Sequence, residues 1–150
     1  MEKLINDISG ASYLNGSACH LDISQWATKD TWGKLKEHQR KAITGKSDLD
    51  LLRQQVLTNN YEIILLNGAT TSEVFLNQCF NIYDYKTITL QKTTRVKEEK
   101  TLSKVEGYYV EVNELLGKKL KNPTKIIGWN DYIQKKPSNI ELIKSWIKTL

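Results

Sequence analysis

The stretch from Tyr61 to Glu73, YEIILLNGATTSE, decides how the rest of the chain is read. Ile63, Ile64, Leu65 and Leu66, with Tyr61 before them, form a continuous apolar run with the length of a buried strand. The run ends at Asn67-Gly68, a pair that favours a tight turn. Thr71 and Ser72 then offer helix caps ahead of Val74, Phe75 and Leu76. Strand, turn and helix in this order are the local unit of a parallel α/β sheet. Ligands of such sheets sit beyond the carboxyl ends of the strands, so Asn67, Gly68 and Ala69 mark the expected rim of a site.

The flanking sequence supplies the other elements. Residues 18–24, ACHLDIS, read as a strand, and residues 124–129, TKIIGW, as a last buried strand. Residues 2–8 predict a short helix and residues 34–43 another. Ser47 opens a third, with Asp48 and Asp50 in its first turn and Leu49, Leu52, Val56 and Leu57 as its apolar stripe. Residues 85–93 and 107–112 alternate and are rich in β-branched residues, which predicts an antiparallel excursion. Ser138 with Glu141 makes a capping box before a C-terminal helix whose face is Ile143, Trp146, Ile147 and Leu150. The expectation is one α/β domain over residues 1–150, a three-layer sandwich. Its sheet is mainly parallel, of about four strands, with helices on both faces and an antiparallel hairpin excursion. Ile63, Ile64, Leu65, Leu66, Ile126 and Ile127 should be buried, covered by Leu52, Val56, Phe75, Ile143 and Trp146.

Composition narrows the function classes. Charged residues are 26% and hydrophobic residues 39%, the balance of a globular protein rather than a disordered one. No apolar run approaches the roughly 20 residues that span a bilayer. The opening MEKLINDISG lacks the apolar core of a secretory signal. Cys19 and Cys79 stand far apart without metal spacing, so they read as buried thiols in a reducing compartment, with the cytoplasm as default location. The net charge of +5 leans toward a polyanion. Lys118, Lys119, Lys121 and Lys125 gather around the start of the last strand, and Lys135 and Lys136 follow it. They read as DNA-backbone contacts or, more simply, as a solvated face.

Enzyme motifs are mostly absent. Gly45-Lys46-Ser47 lacks the upstream glycine of a phosphate loop and reads as a helix start. His20 and His38 have no second ligand at metal spacing, and no serine sits in a nucleophile elbow. No metal and no cofactor are expected. One constellation remains: His20 and Asp22, then Asn67 and Gly68, then Trp129 and Asn130, each pair closing an expected strand. A carboxylate, two amides and an indole on one rim would bond the edge of a heterocycle and stack on its face. The simpler alternative is that polar residues close strands and that Trp129 is core.

These segments resemble, in their order, the later part of the uracil-DNA glycosylase superfamily. ACHLDISQWAT, residues 18–28, resembles the strand that ends in a base-reading Asn, and EIILLNGATTSEVF, residues 62–75, its strand-Gly-helix unit. KIIGWNDYIQKKPS, residues 125–138, stands where the superfamily carries its second catalytic motif and a DNA-wedging loop. The resemblance covers roughly residues 12–150. It implies a flipped base held by His20, Asn67, Gly68 and Trp129, with Asp22 and Asn130 at the catalytic positions. It implies DNA, single- or double-stranded, as partner.

The sequence departs from that pattern in three places. The family's first motif, a strand ending in Gly-x-Asp-Pro or Gly-x-Asn-Pro, has no counterpart before Tyr13. Its loss would expose strand edges, which leaves a fragment, a rearranged sheet or an oligomer partner as explanations. The catalytic His is replaced by Gly128-Trp129-Asn130. Asp22 stands where the family has Asn; an ionised carboxylate only accepts, which suits the amino edge of a cytosine-like base. The simpler role for Asp22 is a helix cap or a partner for a lysine. Two function classes follow: a glycosylase-like protein that flips, and with the right groups excises, a base, or a non-catalytic interaction module that binds DNA or a protein.

Overall fold

The computed structural model describes residues 1–23, 34–95, 100–131 and 139–150. The elements run α1 (Glu2–Ser9), α2 (Glu37–Ile43), α3 (Lys46–Asn59), β1 (Ile63–Asn67) and α4 (Ala69–Glu73), which passes directly into a π-helical segment (Val74–Cys79). Then come β2 (Lys86–Arg95), β3 (Lys100–Leu115), β4 (Lys118–Trp129) and α5 (Ile140–Ile147). The strands form one sheet in the order β1-β4-β3-β2.

The sheet is mixed, which corrects the mainly parallel arrangement expected above. Only β1 and β4 run parallel, in register from Ile63↔Lys125 to Asn67↔Trp129. β3 is antiparallel to β4 on one side and to β2 on the other. Connection length is the reason. Parallel neighbours need a crossover of roughly a dozen residues or more. Between β3 and β4 lie only Leu116 and Gly117, at φ 50° and 79°, the two positive values of a tight hairpin turn. The pairing of 85–93 with 107–112 is therefore half of the sheet rather than an excursion from it.

Two further expectations change. The described part of 18–24 forms no strand. Leu21 and Ile23 pack against the core, which produces the strand-like alternation without any ladder. The basic stretch from Lys118 to Lys121 is not a loop before a strand but the first third of β4. Pro123, which has no N–H for a ladder, falls where the β3–β4 register jumps from Val112↔Thr124 to Glu114↔Lys119.

Helices cover both faces. Ile126 packs with α3 (Leu49, Leu52, Val56) and with Phe75 and Leu76. Its neighbour Ile127 points the other way, to Leu4 of α1 and to Ile143, Trp146 and Ile147 of α5. β4 is thus buried on both faces, as the apolar run IIGW requires. Two glycines let helices sit close: a Cβ on Gly107 would lie 2.4 Å from the Trp146 ring, and one on Gly128 2.6 Å from Ser72 Oγ. Leu66, Ile126, Ile127, Leu52, Val56, Phe75, Ile143 and Trp146 are buried, but Ile63, Ile64 and Leu65 are only half-buried. The difference has one cause: β1 is an edge strand, not a central one.

Candidate functional site

The open edge of β1 forms one side of a cleft. The orientation of its main chain follows from two bonds: Lys125 N–H donates to Glu62 O at 2.9 Å, and Gly68 N–H donates to Trp129 O at 3.0 Å. Alternate residues of a strand direct their amide groups to the same side. Glu62, Ile64, Leu66 and Gly68 therefore face β4, while the N–H and C=O of Ile63 and Leu65 face away from it. Among the described residues nothing bonds these outward groups of Ile63 and Leu65.

Across the cleft stands the chain from Ser9 to Ile23, held in shape by local bonds. Gly10 ends α1 in the left-handed region, at φ 71°. The Glu2 carboxylate accepts from Ser12 Oγ (2.6 Å) and from the Tyr13 N–H (3.1 Å). The Ser12 hydroxyl and then the Tyr13 amide hold its pKa below the ordinary carboxylate range. Ser12 N–H donates to Ser17 Oγ, and Ala18 N–H to Ser12 O, which closes a compact loop. The Cys19 thiol lies 3.3 Å from Tyr61 Oη, linking this wall to the chain just before β1. Burial, and then this thiol, push the Tyr61 hydroxyl up to about 12.

The cleft has a volume of about 1150 Å³. Ile5 and Ile8 of α1 close one side, and Leu52, Thr70, Thr71, Val74 and Phe75 the other. Among the described residues its acidic side chains are Asp22 and Glu62, with the His20 imidazole beside them, and no lysine or arginine lines it, although the chain has 22. Val74 and Phe75 belong to the π-helical segment, a form of helix frequent at functional sites.

The residues singled out from sequence separate into three groups. His20, Asp22 and Asn67 line this cleft together. His20 Nε2 and Asp22 Oδ1 are 3.3 Å apart with both side chains 70% exposed, and they sit on the irregular wall rather than at a strand end. Gly68, Trp129 and Asn130 do not line it. Gly68 is buried at φ 108°, a value suited to glycine, and forms the N-cap of α4. Trp129 is fully buried, and its Nε1–H donates to Asn67 Oδ1 at 3.0 Å, so the indole has no free face for a base. Asn130 is engaged by β3: its Oδ1 accepts from the Glu106 N–H (3.0 Å) and its Nδ2 donates to Lys104 O (2.9 Å).

The lysines expected to hold DNA are partly tied to the fold. Lys118 Nζ donates to Leu57 O near the end of α3, where the helix dipole favours a cation. Lys125 Nζ donates to Leu150 O. Lys119 pairs across the ladder from Glu114, and Lys121 is exposed with its N–H on Asn60 Oδ1. Lys135, Lys136 and Ser138 lie outside the described residues. Cys79 is buried as expected, but Cys19 is exposed. Among the described residues, no group of three or more His, Cys, Asp or Glu is placed to hold a metal, and no helix is long and apolar enough to cross a membrane.

Sequence reading missed Ile63 and Leu65 as edge groups and the wall from Ser9 to Ile23. The signal for the first is the count of strands, since an apolar run is central only if a strand exists for each side. No protein-family model, curated protein or solved structure matches the chain.

Proposed function

We propose that this chain is a non-catalytic interaction module that receives a segment of another polypeptide in the cleft between residues 9–23 and β1. The observation that carries the reading is the cleft's lining, which sets apolar side chains on both sides (Ile5 and Ile8, Val74 and Phe75) and has no lysine or arginine among the described residues. A nucleic-acid groove neutralises phosphates with such cations. Leu14, 94% exposed, stands in the turn beside the cleft, an apolar side chain of the kind a protein partner covers.

A second reading rests on one observation, the presence of His20, Asp22 and Asn67 on the same cleft. Such groups are of the kind that reads the edge of an unpaired base, although Asn67 Oδ1 already accepts from Trp129 Nε1–H and Asp22 lies beside His20. Excision of that base has less support, because Asn130 and Trp129 are engaged elsewhere. Selection of a random displayed peptide library against the full chain, followed by fluorescence anisotropy of the enriched peptides, tests the first reading. Enriched peptides should lose binding to Thr71→Trp, which fills the cleft. Failure to enrich, or binding that ignores Thr71→Trp, overturns it. Low-salt binding of oligonucleotides with unpaired bases, lost in the same variant, favours the second.

A further inference from the structure

We propose that the occupant of the cleft adds to the sheet as a fifth strand, pairing with the open edge of β1. This rests on the reading of the chain as a polypeptide-binding module and states how the segment is held. Ile63 and Leu65 each direct an N–H and a C=O into the cleft, and among the described residues these four groups have no partner. An amide edge of this kind is completed by one class of ligand, an extended main chain about 4.8 Å away. β1 has five residues, so at ~3.3 Å per residue the pairing covers about 17 Å.

The two faces of the added strand are also specified. Ile63 and Leu65 turn their side chains to the α1 and α5 face, and Ile64 and Leu66 to the α3 and α4 face. A strand laid beside them meets Ile5 and Ile8 on one face and Val74 and Phe75 on the other. Both faces carry apolar side chains, with Thr70 and Thr71 beside Val74 and Phe75, so the segment is a mainly aliphatic run like IILL itself rather than an alternating strand. Glu62, exposed just before β1, adds a carboxylate to a lining without lysine or arginine among the described residues, which favours a basic residue at that end of the run. The wall from Ser9 to Ile23 decides between a single segment and a second copy of this chain. Two such copies cannot bring their β1 strands to ladder distance without bringing both walls together, whereas a single extended segment carries no wall of its own.

The test is an amide-to-ester scan of a peptide that binds the cleft, measured by anisotropy on the full chain. Esters at every second position should weaken binding about five- to tenfold each, the loss of one hydrogen bond, while those between leave it unchanged. Ile63→Pro should weaken binding by a similar factor, since the N–H it removes faces the cleft and not β4, a position where edge strands accept proline. Far-ultraviolet circular dichroism checks its fold, and the ester scan on the unaltered chain decides if that variant unfolds. A peptide blocked by Thr71→Trp but indifferent to every ester overturns strand pairing and leaves the binding module standing. The absence of any cleft-binding peptide overturns the binding module itself. Concentration-dependent dimerisation abolished by Ile63→Pro overturns the single-segment occupant.

Discussion

Replacing Gly107 by alanine gives a sharp test of how α5 sits on the sheet. The added Cβ would lie 2.4, 2.6 and 2.7 Å from Cη2, Cζ3 and Cζ2 of Trp146. Carbon atoms pack at about 3.5–4.0 Å, so the ring or the strand must move by roughly 1 Å. The indole is rigid and 8% exposed, and Ile143 and Ile147 on the same helix are buried beside it. The motion therefore falls on α5 as a body. Overpacking of this kind costs about 1–3 kcal/mol. The opposing gain, from replacing a flexible glycine within a strand, is about 0.5–1 kcal/mol. The clash wins in most of that range, and Gly107→Ala should lower stability by about 1–2 kcal/mol. Urea unfolding followed by circular dichroism measures it. With a slope of about 1–3 kcal/mol/M, the midpoint should fall by roughly 1 M. Trp146→Leu removes the atoms that the methyl strikes, so in that background Gly107→Ala should be neutral or slightly stabilising. The double-mutant cycle then shows a coupling of about 1–3 kcal/mol. Equal costs of Gly107→Ala in both backgrounds would refute the contact between Trp146 and β3.

Three other outcomes follow from the structure. Asn130→Ala leaves the Glu106 N–H and Lys104 O without their side-chain partner and should cost about 1–3 kcal/mol in chemical denaturation; an unchanged midpoint would return Asn130 to the list of free site residues. In the folded chain one thiol, exposed Cys19, should react quickly with an aromatic disulfide reagent. Cys79, whose pKa burial pushes up to about 11, should react only after unfolding; two fast thiols would contradict the packing around it. Asp7 is bound by Lys144 Nζ at 2.8 Å, which lowers the Asp7 pKa and raises that of Lys144. The carboxylate's contribution is complete above its unfolded pKa, near 4, and disappears as pH falls through its lower folded value. The ammonium's contribution disappears as pH rises through its raised folded value. The stability difference between wild type and Asp7→Asn should therefore be constant near neutrality and close at both acid and alkaline ends of a thermal-melt series. A gap that persists in acid would remove the ion pair from the α1–α5 contact.

Local signals carried what was legible in the sequence. The run IILL and the turn at Gly68 produce β1 and the start of α4, although Thr71 and Ser72 lie inside that helix and Gly68 is its cap; the stripe of Leu49, Leu52 and Val56 produces α3. β4 was legible only from Thr124, because its apolar half is local while its first residues, KKLKNP, carry no strand pattern. Their strand conformation comes from the hairpin at Leu116-Gly117, and leucine at φ 50° is not a residue that announces such a turn. The site was legible in fragments for the same reason. Asn67 closes a strand, and that much is local. That its Oδ1 is taken by Trp129 Nε1 depends on a residue 62 positions away, and the anchoring of Asn130 on one 24 positions away. Polar residues at strand ends are visible in a sequence, but their engagement by other strands is not.

An apolar edge strand normally threatens a protein with sheet-to-sheet association. The usual defences are a charged residue within the strand, a proline, or a bulge. β1 has none of these: it reads IILLN, and its register with β4 is unbroken. Its protection is spatial. The loop fixed by Glu2 on Ser12 and Tyr13 lines the same cleft as the edge, which sets a covering loop in the way of another folded sheet. Ile63 and Leu65 keep aliphatic side chains although they are only half-buried, because they pack against the cluster of Leu4, Ile127, Ile143 and Trp146. Solvent exposure alone would favour polar residues at one of the two faces. Apolar residues on both faces are what a strand needs when helices cover it on both sides, as α1 and α5 do on one face and α3 on the other.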